Sequence, residues 1–455
     1  MTGDDGRRGR PAAARRRFLA GAATALAAVT AGCGYVPGGG DLAWEATLRA
    51  GGLAFGGDVW HRATADRLVT VENRSGRSYD FEAEVWRDVS NAAVSVLTPD
   101  GTVRSVGETE RQVVGEPAVA DDAAFLPVER GRLTAVDLSD GGTLAATNPS
   151  GGGETTGGST DDPVRWRVDA GSLLAAEPGG DGTDGSEDGE TADGGHGAGP
   201  TLRGVRAGDA LALAVGPSGI AVVDAETGDP SFAVPDLWTG ESVGAVADPM
   251  SRVAVDGETV WALAPEDAAV GGDRAAIVGY DRGGGRIAER AVAGTHEWLV
   301  AVDGTVAVGA PGASFTGYDR TLDRRFALDA RAPGARPTAV PSGAGRLYYS
   351  RGQTLTAVDV AAGEVAFERS NLPPGHLAAD ATGAYLTENG GGFNGETDAR
   401  MVAVGADGSV EWEAPFPDGI EPEEVFAFGG RLVALDGDTA YGFRATPGER
   451  WSPLG

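Results

Sequence analysis

The chain has no lysine at all, one cysteine, three methionines and four histidines in 455 residues. Each scarcity excludes something. Without lysine there is no Schiff-base chemistry and no P-loop lysine. A single thiol, Cys33, cannot close an internal disulfide. The histidines, His61, His196, His296 and His376, stand singly with no metal-type spacing; His196 falls in a low-complexity stretch, and the others read as turn or rim residues. No Gly-x-Ser-x-Gly elbow occurs. The Asp-Gly-rich run from Asp181 to Glu190 fits no alignment of the EF-hand pattern, so it reads as a solvated acidic loop. Positive charge is scarce too: 37 Lys+Arg face 67 Asp+Glu, a net of −30. Nucleic-acid binding requires clustered basic charge, and this balance is the reverse.

Glycine is abundant, at 74 residues, which suits many tight turns between short strands. The acidic excess runs through well-patterned segments as well as loops. It therefore reads as a surface of hydrated carboxylates that keeps the protein soluble in high salt. In this, and in its avoidance of lysine, the composition resembles that of haloarchaeal proteins.

The first forty residues read as targeting rather than fold. Basic residues end in Arg15-Arg16-Arg17-Phe18-Leu19. An alanine-rich stretch from Ala20 to Val29 follows, too short for a transmembrane helix of about 20 residues. Then comes Thr30-Ala31-Gly32-Cys33. Arg15, Arg16, Phe18 and Leu19 resemble the twin-arginine export motif, and the residues before Cys33 resemble a lipobox. The expectation is a signal peptide over residues 1–32, removed so that Cys33 carries lipid, with a tether over 33–43. The protein would be exported and anchored to the outer face of the cell membrane. Removing the segment before Cys33 deletes six Arg and two Asp, so the mature chain is more acidic still. Asn73-Arg74-Ser75 is an N-glycosylation sequon, making Asn73 a candidate acceptor.

A unit recurs through the rest. A strand ends in Ala-Val-Asp or Gly-Tyr-Asp, a glycine-containing turn follows, then a second strand. Its aspartates are Asp137, Asp224, Asp281, Asp319 and Asp359; weaker copies place Gly405 and Arg444 there. From Asp281 onward these positions lie 38, 40, 46 and 39 residues apart. A period near 40 fits one four-stranded propeller blade. Upstream of each copy lies another hairpin, such as Leu299 to Val308 around Asp303-Gly304, a strong hairpin signal. A residue repeated in every blade is best explained by the turn it makes, here an Asx-turn.

The unit resembles the propeller repeat of the pyrroloquinoline-quinone-like family, which includes outer-membrane-assembly lipoproteins as well as enzymes. In that repeat Ala-(Leu/Val)-Asp-x-x-x-Gly-x-x-x-Trp ends a blade. This chain has Ala357-Val358-Asp359 with Gly363 and Phe367, Ala403-Val404-Gly405 with Gly408 and Trp412, and Gly442-Phe443-Arg444 with Gly448 and Trp451. Trp44 looks like an orphan outer strand. The resemblance implies an all-β, seven- or eight-bladed β-propeller of four-stranded blades. The propeller spans 116–455, with disordered acidic Gly-rich inserts near 148–162 and 177–200. Residues 44–115 read as a first blade or a small β-sandwich.

The family's quinoprotein enzymes hold their quinone under a Trp, use Ca²⁺ and an Asp base, and often carry a Cys pair. Here only Cys33 exists. No cofactor, metal or catalytic set is expected. The leading expectation is a non-enzymatic binding or scaffolding module with a protein or solute partner and no nucleic acid. A quinone- or metal-dependent oxidoreductase and a solute-binding lipoprotein are the alternatives.

Overall fold

The computed structural model describes residues 38–48, 55–80, 85–120, 122–139, 163–175, 201–238, 248–265, 275–292, 297–309, 314–331, 336–340, 345–388, 400–417 and 419–445. Several expected features lie outside them. These are the export motif from Arg15 to Leu19, Cys33, both acidic inserts, His196, His296, Gly448 and Trp451.

The chain is an eight-bladed β-propeller. Eight four-stranded antiparallel sheets follow one another, each laid down from the channel outward. Of the two blade numbers the repeat allowed, the structure has eight. Residues 55–108 form one sheet of four strands, Phe55–Ala63, Leu68–Asp80, Val85–Leu97 and Val103–Glu108. They do not form a sandwich. The apolar face that a second sheet would have covered packs on the next blade instead: Val69, Val71, Val94 and Val96 meet Leu126, Val128 and Val136 in one buried cluster.

The remaining seven blades start with short inner strands: Ala118–Ala120, Gly204–Ala207, Val253–Asp256, Trp298–Val302, Thr338–Val340, Leu377–Asp380 and Glu424–Phe428. The only helical segments among the described residues are the single turns Ala170–Ala175 and Pro249–Arg252.

The ring closes with the N-terminal strand. Leu42–Thr47 pairs antiparallel with Thr439–Arg444 and supplies the outermost strand of blade eight. Trp44 is therefore not an orphan. The place that the repeat assigned to Trp451 is filled from the other end of the chain. This closure leaves the last sheet no vacant edge next to its third strand.

The core is not a single mass. Eight apolar clusters lie one between each pair of neighbouring blades. Leu68 and Leu97 of blade one meet Phe428, Val433 and Leu435 of blade eight across the closing seam. Strands packed on both faces must be apolar throughout, and Leu211–Val215 and Thr305–Gly309 are buried at every position.

Aromatic side chains near the start of the outermost strands bridge to the next blade. Trp166 lies on Gly228, Phe232 on Gly284, Phe326 on Gly363, Phe367 on Gly408 and Trp44 on Gly101. Each of these glycines has φ between +70° and +88°, a conformation that L-residues avoid. A Cβ on any of them would also crowd the aromatic side chain, with its nearest atom at 2.6–3.1 Å. The indole N–H groups reach across the same seams. Trp166 donates to the Ala225 carbonyl at 3.1 Å, Trp412 to Ala445 at 2.7 Å and Trp44 to Pro99 at 2.8 Å.

Candidate functional site

The five repeated aspartates follow the third strand of their blades and each caps the turn that comes next. The Asp224 carboxylate accepts from the N–H of Glu226 and Thr227, both at 2.9 Å. Asp281 accepts from Gly283 and Gly285, Asp319 from Thr321 and Asp323, and Asp359 from Ala361 and Ala362, all within 2.8–3.0 Å. Asp137 accepts from Ser139 N–H at 2.7 Å and from Arg165 Nε at 3.2 Å. Burial works against the charge on Asp137, but the Ser139 and Arg165 hydrogen bonds and the Arg165 charge outweigh it and hold the carboxyl down at about 2. These side chains sit on the rim and do not converge.

Asn73 is 4% exposed. Its amide nitrogen donates to the Val113 carbonyl and its oxygen accepts from Val113 N–H, both at 2.8 Å. In the folded chain the glycan-accepting nitrogen is already engaged and shielded from an oligosaccharide donor.

What converges is the central channel. Adjacent strands are antiparallel, so the first and third strands of a blade end on one face. On that face the first strands open into a mouth of about 650 Å³. Nine of its nineteen lining residues are alanines, among them Ala63, Ala120, Ala207, Ala339, Ala379 and Ala427, and only Asp209 and Asp380 are charged. Asp380 is engaged by its own turn, accepting from Thr382 N–H at 2.8 Å and Thr382 Oγ1 at 2.6 Å.

Beneath the mouth lies a belt of titratable groups, contributed blade by blade. They stand just before the first strands or on them: Arg62, Glu116, Arg206, Glu297, Arg336, His376 and Glu424, with Asp248 and Arg252 on the 3₁₀ turn that leads into blade four. Glu116 Oε2 is shared by Arg62 at 3.3 Å and Arg206 at 3.4 Å. Arg206 also donates to the Met250 carbonyl at 2.9 Å, while its buried Nε has no partner. Asp248 turns to its own helical turn, accepting from Met250 N–H at 3.0 Å.

Between blades one and eight His61 Nε2 lies 3.9 Å from Glu424, and between blades seven and eight His376 Nε2 lies 3.0 Å from the Pro422 carbonyl. Burial pushes the Glu424 carboxyl up, against the pull of Arg62 and His376. His61 thus lies on the first strand of blade one, in a cleft it shares with Glu423 and Glu424 of blade eight, rather than on a turn, and His376 lies in the connection that leads into Leu377–Asp380. Among the described residues no group of three or more His, Cys, Asp and Glu is placed to hold a metal ion.

The belt was hidden in the sequence because its chemistry changes from blade to blade. A search for repeats keeps what recurs, such as Asp359, and discards Glu116, Arg206, Arg336 and His376. Their shared signal is positional: a titratable residue at or just before each first strand.

Fold and site define a ring-closed β-propeller whose channel has an alanine mouth and an ionic belt. No family model matches the chain, and no curated protein matches it. Among solved structures it is similar to BamB from Moraxella catarrhalis, with 13% identity over 89% of this chain and 97% of that one and a TM-score of 0.46. It is also similar to the quinohemoprotein alcohol dehydrogenase of Comamonas testosteroni, with 14% identity over 91% and 78% and a TM-score of 0.46. The quinohemoprotein alcohol dehydrogenase ADHIIG of Pseudomonas putida HK5 gives 13% identity over 91% and 77%, again with a TM-score of 0.46. At such identities the chain's own residues, not these neighbours, decide what the channel can do.

Proposed function

We propose that the protein is a non-enzymatic binding or scaffolding module, exported and held at the outer face of a cell membrane through lipid on Cys33. The observation that carries the binding reading is the alanine mouth, with nine methyl-bearing walls and two carboxylates. Such a wall recognises its occupant by shape and by the apolar area it covers. Acid–base or nucleophilic chemistry needs instead several titratable groups converging on the reacting atom; of the two carboxylates here, Asp380 is engaged in its own turn and Asp209 stands exposed. Support for export and anchoring comes from the ordered run of Arg15-Arg16, Phe18-Leu19, a short apolar stretch and Cys33.

The test is native mass spectrometry and absorbance of the protein isolated from its own membranes. The expected result is a lipid-modified polypeptide without a redox chromophore. A stoichiometric quinone, or a Ca²⁺ whose removal abolishes an oxidation, would replace this reading with the oxidoreductase.

A further inference from the structure

Arg336 stands two residues before the strand Thr338–Val340, whose residues line the mouth. Arg206 and Arg62, within their own strands, immediately precede the mouth residues Ala207 and Ala63. With a rise of about 3.3 Å per residue, Arg206 and Arg62 lie one residue below the alanine wall and Arg336 two.

Their partners are unequally shared. Glu116 is divided between Arg62 and Arg206, and Asp248 is committed to the turn Pro249–Arg252. Arg336 makes no hydrogen bond or ion pair among the described residues, although it lies near enough to Arg206, Glu116 and Asp248 to sense all three charges. Arg62 and Arg206 thus have an ion-pair partner in Glu116, and the guanidinium without one is Arg336. Burial, reinforced by repulsion from Arg206, pushes its guanidinium down to about 9. A guanidinium nonetheless keeps its proton in proteins. A charged guanidinium without a partner thus stands in a chain whose net charge is −30. Arg336 is partly exposed.

We propose that Arg336, with Arg206 beside it, is a binding site for an organic monocarboxylate whose apolar body lies against the alanine mouth. One guanidinium without a partner takes one carboxylate. A planar guanidinium matches a carboxylate in a two-pronged hydrogen bond. The volume of about 650 Å³ lies within the range of small-molecule pockets, about 300–1,000 Å³. This inference rests on the binding-module reading and names the chemistry of its ligand.

The test is thermal melting of the full chain at constant salt, titrated with benzoate, with its neutral isostere benzamide, or with inorganic phosphate. Benzoate is expected to raise the melting temperature with the logarithm of its concentration, benzamide to leave it flat, and phosphate to act more weakly than benzoate. Arg336→Gln should abolish the benzoate shift, and Arg336→Lys should weaken it. Without ligand, Arg336→Gln should melt at or above the wild-type temperature, because it removes a charge that lacks a partner; an arginine with a structural role would give a fall.

Equal shifts with benzoate and benzamide, phosphate as effective as benzoate, a benzoate shift retained in Arg336→Gln, or a lower melting temperature for that variant would each overturn the proposal. A flat benzoate titration on a protein free of redox cofactor removes this site and leaves the binding module standing. A redox cofactor in the native mass removes the module itself.

Discussion

The aspartates that end the third strands act through the turns they hold. Asp359 accepts two backbone N–H groups that the turn would otherwise leave to water. Charge-assisted hydrogen bonds of this kind contribute about 1–3 kcal/mol. Asp359→Ala should therefore lower stability by roughly 1–2 kcal/mol in a denaturant melt and leave ligand binding unchanged; an unchanged midpoint would show that water serves the turn equally well. Asp137 adds a pH dependence. Its carboxyl is held at about 2, below the ordinary value of about 3.9. The ionised form therefore contributes its full stabilisation above about pH 4, and this is lost as pH falls through about 2. Asp137→Asn should flatten acid unfolding in that window when followed by circular dichroism. These residues were legible because they recur with the blade period. Arg336 and His376 were not, because their identities differ from blade to blade while only their position is shared.

At the level of elements, the blades are joined by aromatic side chains seated on left-handed glycines. Phe367 covers Gly408, whose φ is +83° and whose added Cβ would lie 2.7 Å from the ring. Gly408→Ala should destabilise by at least about 1–2 kcal/mol from backbone conformation alone, with displacement of Phe367 adding to it. A melting temperature equal to wild type would contradict this packing. The pairing of Gly363 and Gly408 with aromatics was visible as spacing, but the partners were not. The sequence places Gly363 four residues before Phe367, yet in space Gly363 meets Phe326 of the preceding blade. Closure was hidden for a similar reason. No local pattern tells that Trp44 pairs 398 residues away with Gly442; only the arithmetic of filling every fourth-strand place does. Trp44→Ala should loosen the seam by about 3 kcal/mol, the low end for a packed tryptophan. Chemical unfolding of that variant should start at the contacts between blades one and eight.

The molecule as a whole is a ring of eight sheets under strong self-repulsion. The Debye length is about 30 Å at 0.01 M salt and about 3 Å at 1 M. Removing salt should therefore unfold the β structure cooperatively, and a melt insensitive to salt across that range would contradict adaptation to brine. Cys33→Ser should release the processed body from membranes or leave the precursor uncleaved; a processed variant still fractionating with membrane would remove the lipid anchor.

The central claim is that the channel mouth is where the protein meets its partner. The most direct test places a photo-crosslinking residue, in cells of the native host, at the exposed mouth positions Asp209 and Ala381 and, for comparison, at Ile287 and Val410 on outermost strands. The account predicts a discrete, saturable adduct from the two mouth positions and none from the outer strands. Adducts distributed equally over both sets, or confined to the outer strands, would contradict it.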